Sequence, residues 1–135
     1  MGGMTTTTPA MRPLRVLVAD DNPLNLRLAT RILRDMGHSG VLVGDGHKAL
    51  EALRAQTFDL VLMDVTMPGM DGVEALRELR AREAAGMQRR TPVIMVTAYD
   101  LPEDRRRLLD AGADGYVAKP LDAERLAAEI RRVLG

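Results

Sequence analysis

The chain has 135 residues, 46% of them hydrophobic and 28% charged, enough for one domain with a full core and helices on both sides of a sheet. Its 19 basic and 19 acidic residues balance, so it carries no global electrostatic footprint for nucleic acid or an anionic membrane. It has no cysteine, which excludes disulfides and thiolate metal sites and fits a reducing cytoplasm.

No apolar run reaches the roughly 20 residues of a membrane span, and the N-terminus lacks a signal-peptide core. Residues 1–13, MGGMTTTTPAMRP, are small, polar and proline-containing. They read as a disordered arm or an expression remnant, with the folded domain over 14–135. "LRVLVA" (14–19) is the first strand. Asn22-Pro23 follows as an N-cap with proline at N1, and Leu28, Ala29, Ile32, Leu33 and Met36 continue at helix-face spacing up to Gly37, a C-terminal stop. "GVLVG" (40–44) is strand two, before a helix carrying Ala49, Leu50 and Leu53. "FDLVLMD" (58–64) is strand three, with Val73, Leu76 and Leu79 on the next helix. "PVIMVT" (92–97) is strand four, and an arginine-heavy helix spans about 102 to 110. "DGYVA" (114–118) is strand five, and Leu126, Ile130, Val133 and Leu134 mark a last helix.

These five βα units have strands that do not alternate apolar with polar, as suits a parallel sheet covered on both faces. Right-handed crossovers and only five units favour an open, doubly wound α/β sheet over an eight-stranded barrel.

In such a sheet all strand C-termini meet on one edge, where ligands bind. That edge receives Asp20-Asp21 from strand one, Asp64 from strand three, Thr97 from strand four and Lys119-Pro120 from strand five. Singly, the acids could cap a helix, the threonine satisfy a loop amide and the lysine face solvent. Their convergence favours a joint role. Carboxylates a few ångströms apart must share a proton or hold a cation. Oxygen donors without histidine or cysteine suit a hard ion, Mg²⁺ before others. A cation site, a lysine and a hydroxyl around one carboxylate equip Asp64 to act as a nucleophile in phosphoryl transfer.

The order Asp-Asp, Asp, Thr, Lys-Pro, with "MDVTMPGMDG" (63–72) after strand three, resembles the receiver domains of response regulators in two-component phosphorelays. The resemblance covers about residues 14–134 and implies a flavodoxin-like five-stranded sheet of order 2-1-3-4-5. It implies that Asp64 accepts phosphoryl from the phosphohistidine of a kinase. Mg²⁺, or Mn²⁺ instead, would be held by Asp20, Asp21, Asp64 and the Thr66 backbone carbonyl. Thr97 and Lys119 would contact the phosphoryl oxygens, and the peptide before Pro120 would be cis. Thr97 and Tyr116 would form the switch, changing the face of helix four, strand five and helix five, through which a dimer is one option. "DDNPLN" (20–25), with Asn22 and Asn25, together with "MDVTMPGMDG" looks most like receivers of hybrid histidine kinases, whose next partner is a histidine phosphotransfer protein. Thr66 and Tyr99 flank the site where other members carry different side chains, which bears on the lifetime of the phosphoryl group. The chain ending after helix five fits either an excised receiver or a stand-alone one. No direct nucleic-acid or membrane contact is expected of this domain, which would lie in the cytoplasm.

Other signals weigh less. Gly44-Asp45-Gly46-His47-Lys48-Ala49 matches a dinucleotide fingerprint on paper, but it follows strand two and sets Asp45 against the phosphates, so the glycines read as a turn. His38 and His47 are too far apart for a helical ligand pair and read as surface residues. The Arg105-Arg106-Arg107 run reads as a solvated face that could meet an acidic partner. The rival enzyme is a Mg²⁺-dependent phosphatase of the haloacid-dehalogenase type. It needs a second acid two positions after the nucleophile, where this chain has Thr66. A purely structural interaction domain would bind no Mg²⁺.

Overall fold

The computed structural model describes residues 12–98 and 101–135; most of the N-terminal arm, and Tyr99, lie outside them. Five strands alternate with five helices: β1 (Arg15–Ala19), α1 (Pro23–Asp35), β2 (Ser39–Val43), α2 (Gly46–Ala55), β3 (Leu60–Asp64), α3 (Gly72–Ala84), β4 (Val93–Thr97), α4 (Pro102–Asp110), β5 (Gly115–Ala118) and α5 (Ala123–Leu134). All strand pairs are parallel, in the order β2-β1-β3-β4-β5. The expected doubly wound sheet is therefore present.

The strands fail to alternate because both faces are buried. Leu17, Ala19, Val61, Met63, Val93 and Met95 join one core cluster, with Leu50 and Leu53 of α2 and Leu76 and Leu79 of α3. Val16, Val18, Leu60, Leu62, Ile94 and Val96 point the other way and pack with Ile32 and Leu33 of α1 and Leu126 and Ile130 of α5. Central β3 and β4 are buried throughout, whereas edge strand β2 is largely exposed, since a neighbour covers only one of its sides.

Local chemistry sets the helix ends. Asn22 accepts hydrogen bonds from the Leu24 and Asn25 amides with Pro23 in the first turn, and Gly37 stops the helix at φ +88°. Asp71 and Glu74 form a reciprocal capping box on α3. Asp45 caps α2 by accepting from the Lys48 amide at 2.8 Å.

The edge opposite the strand C-termini is tied by side chains. Asp59 accepts from the Arg15 amide at 2.8 Å and Asp114 from the Val93 amide at 2.8 Å. Glu83 accepts from the Thr91 amide at 2.9 Å. His38 corrects the surface reading: it is buried, and its Nδ1 accepts from the Leu14 amide at 3.0 Å. Gly37 reverses the chain tightly enough to turn the ring inward onto the start of β1, whereas His47 is exposed.

Candidate functional site

Asp64 ends β3, the most deeply covered strand, so its side chain is almost wholly enclosed, as is that of Asp20 just after β1. Asp21 is exposed beside them. One carboxylate oxygen from each of the three lies within 4.8 Å of the others. Lys119 Nζ sits 3.0 Å from Asp64 Oδ1 and 3.7 Å from Asp20 Oδ2. Asp20 also accepts from the Asn22 amide at 2.9 Å, so it orients the chain entering α1 as well as facing the cluster.

Burial pushes the Asp64 carboxyl above its ordinary value; the Lys119 hydrogen bond opposes this, and the charge of Asp20 adds to it. An enclosed carboxylate with two acidic neighbours and one ammonium has more negative charge than the side chains neutralise. All three acids offer oxygen, and no histidine or cysteine joins the cluster. This donor set fits a hard divalent cation.

The remaining predicted residues fall around this centre. The Thr66 amide lies 3.4 Å from Asp64 Oδ1. Thr97 is buried at the end of β4, in register with Ala118, and its carbonyl accepts from the Lys119 amide at 2.8 Å. Strand pairing thus roots the threonine and the lysine side by side. The Lys119–Pro120 peptide is cis. Tyr116 lies further back on β5, in register with Met95 and half-buried against the core. The Arg105 guanidinium lies over its ring, 5.5 Å from the centroid, whereas Arg106 and Arg107 of the same run are exposed. The glycine-rich stretch after β2 serves as a turn and helix start: Asp45 is committed to its cap, and Gly46 packs under Met70.

Two glycines have a positioning role that the sequence did not show: Gly72 was not singled out, and Gly46 reads only as part of a turn. A Cβ on Gly72 would fall 2.9 Å from the Asp64 carbonyl carbon, and one on Gly46 2.7 Å from the Met70 carbonyl oxygen. Both glycines clamp the loop after β3; the Asp-Gly pair at 71–72 was the only hint.

Residues 16–131 match the model of the response regulator receiver domain. The chain belongs to this family. The sensor protein GacS of Pseudomonas syringae is 44% identical over 124 residues, which cover 92% of this chain and 14% of that protein. The receiver of a Pseudomonas aeruginosa sensor histidine kinase, solved with magnesium coordinated in its active-site cleft, superposes with a TM-score of 0.80. It is 37% identical, and the match covers 91% of this chain and 98% of that one. The receiver of the Saccharomyces cerevisiae response regulator Ssk1, solved with the histidine phosphotransfer protein Ypd1, superposes at 0.82. It is 26% identical, with coverage of 87% and 86%. This receiver is thus homologous to those of hybrid sensor kinases and spans a small part of such relatives. Among its described residues no helix is long and apolar enough to cross a membrane.

Proposed function

We propose that Asp64 takes a phosphoryl group from a phosphohistidine and that the receiver relays it or converts it into a change of surface. The observation that carries this reading is the enclosed Asp64 carboxylate, 3.0 Å from Lys119 and beside two further acids.

Asp20, Asp21, Asp64 and the Thr66 backbone carbonyl would hold Mg²⁺, or Mn²⁺ in its place, which when bound supplies positive charge against the phosphoryl oxygens. The amide of Thr66 and the ammonium of Lys119 both approach Asp64 Oδ1, which leaves Oδ2 as the attacking atom. Its lone pair forms the new O–P bond as the P–N bond of the donor breaks. The bonding pair leaves with the imidazole nitrogen, which takes a proton from solvent. Lys119 then pairs with one phosphoryl oxygen, and the Thr97 hydroxyl donates to another. The movement of Thr97 makes room for Tyr116 and changes the α4–β5–α5 face, through which a dimer would form.

The parent is a hybrid histidine kinase with this domain on the cytoplasmic side, and the onward acceptor is a histidine phosphotransfer protein. Similarity to GacS supports the first; the Ypd1 complex, in which the relative's receiver lies downstream of Ypd1, supports docking between a receiver and a phosphotransfer protein rather than the direction of transfer.

The test is intact mass spectrometry after incubation with acetyl phosphate and Mg²⁺. One added phosphoryl group, lost in Asp64→Asn and on chelation of the metal, is the expected result. Modification that survives Asp64→Asn, or none with a competent donor, refutes the assignment.

A further inference from the structure

The two edges of the sheet are finished differently. On β5, Glu129 accepts from the Tyr116 amide at 3.0 Å and Arg132 donates to the Asp114 carbonyl at 2.9 Å. Side chains of α5 thus occupy positions that an added strand would use. The other edge, β2, has the sequence SGVLV, with neither charge nor proline, and no described strand lies outside it. Such an edge is a template for pairing that proteins ordinarily blunt. The Ser39 amide donates to Leu14 and the Val43 carbonyl accepts from Asp20. The alternation of a parallel ladder therefore turns the N–H and C=O of Gly40 and Leu42 outward.

Beside this edge a groove of about 670 Å³ runs between α1 and Leu42, rimmed by Arg27, Arg31 and Arg34, with Asp35 the one acidic residue of its lining. All three arginines are exposed, and none makes an ion pair among the described residues, in contrast to Arg80, Arg90 and Arg132. Leu42 is 42% exposed at its side. The groove therefore combines an apolar wall, an unsatisfied basic rim and a free strand edge.

We propose that β2 and the α1 arginines form a docking surface for an extended acidic segment of a partner protein. The segment adds to β2 as a strand, hydrogen-bonded to Gly40 and Leu42, with carboxylates on alternate residues reaching the arginines. The spacings agree. Arg27 and Arg31 are separated by a helical rise of about 6 Å, and alternate side chains of a strand by about 6.8 Å. Main-chain bonds supply the affinity of strand addition and the charges its specificity. A second copy of the chain fits worse. Pairing β2 with β2 about a two-fold axis normal to the sheet puts both arginine rows on one face, opposite each other.

The test is a titration of isotope-labelled receiver with a short capped peptide alternating Glu and Val, against the same peptide with Lys for Glu. Saturable shifts and slowed hydrogen exchange at Gly40 and Leu42 are expected with the Glu peptide alone. Arg27→Glu with Arg31→Glu should weaken binding about tenfold or more, and Leu42→Lys should block it. Phosphorylation of these variants by acetyl phosphate should be unchanged, which checks their folding independently of the groove. The proposal fails if no saturable shifts appear, if the Lys peptide binds equally, or if the arginine variants bind as before. It fails equally if shifts centre on Leu24 and Leu28, if the receiver self-associates through β2, or if only anionic lipid vesicles perturb these amides.

Discussion

A Cβ built on Gly72 would lie 2.0 Å from the carbonyl oxygen of Asp64. No real carbon sits so close, so Gly72→Ala must push the first turn of α3 away from the end of β3. The Gly72 amide also donates to the Val65 carbonyl at 2.9 Å, and that bond would stretch. The expected cost is about 1–3 kcal/mol of stability, with a fall in acetyl-phosphate labelling beyond what the lost folded fraction explains. Gly46→Ala, one layer further out, should destabilise with a smaller effect on labelling. Urea denaturation alongside intact mass measures both, and equal labelling in the two variants would remove Gly72 from the site's support.

Charge at the centre makes a second prediction. For Asp64, burial outweighs the bond from Lys119, so removing its charge should stabilise the metal-free protein. Asp64→Asn is expected to gain about 1 kcal/mol and melt a few degrees higher without Mg²⁺. Adding Mg²⁺ should raise the melting temperature of the parent more than that of the variant, since one of the three acids is gone. A variant that melts lower, with an undiminished Mg²⁺ response, would mean that the cluster is not strained by its own charge.

Much of the site was legible because charge at the end of an apolar run is conspicuous. Asp20, Asp64, Thr97 and Lys119 each close a strand, and parallel topology alone brings strand ends together. The opposite edge was not legible. Asp114 reads only as the first residue of a strand, Thr91 carries no signal, and His38 reads as a surface group. Their partners are 24 residues away for His38 and 34 for the Arg80–Asp114 pair. Sequence spacing does not show which backbone amide a side chain will meet across a sheet. Gly46 likewise reads only as part of a turn and Gly72 only as part of a motif, since a close approach involves a neighbour that local sequence does not identify.

That hidden edge has its own weak point in Arg80. Its guanidinium donates to the Gly112 and Thr91 carbonyls at 2.9 and 2.8 Å and pairs with Glu83 at 2.7 Å and Asp114 at 2.9 Å. Its side chain is 17% exposed, so solvent replaces these bonds poorly. Arg80→Ala should cost roughly 3 kcal/mol, since it leaves two carboxylates under-compensated. Arg90 meets the same Asp114, but its side chain is 56% exposed, and Arg90→Ala should stay within about 0.5 kcal/mol. Chemical denaturation of the two variants distinguishes a network centred on Arg80 from an even sharing of charge.

His38 gives the fold a dependence on mild acid. Burial lowers its pKa from the ordinary 6.5, more than the charge of Asp59 raises it. Its Nδ1 must also stay unprotonated to accept from the Leu14 amide. With the folded value depressed, the unfolded chain binds the proton more readily. This contribution to stability is complete above pH 6.5 and is lost as the pH falls through the folded value. Asp59 is lowered from 3.8, chiefly by the Arg15 amide, and by the same sign its contribution is present above 3.8 and lost only further into acid. The unfolding free energy should therefore decline in two stages, the first below 6.5. His38→Leu should flatten that first stage while costing about 1–3 kcal/mol at neutral pH, because the Leu14 amide loses its acceptor. Denaturation curves across the range, with NMR titration of the imidazole, measure the effect. An unchanged first stage in His38→Leu would assign it to another group.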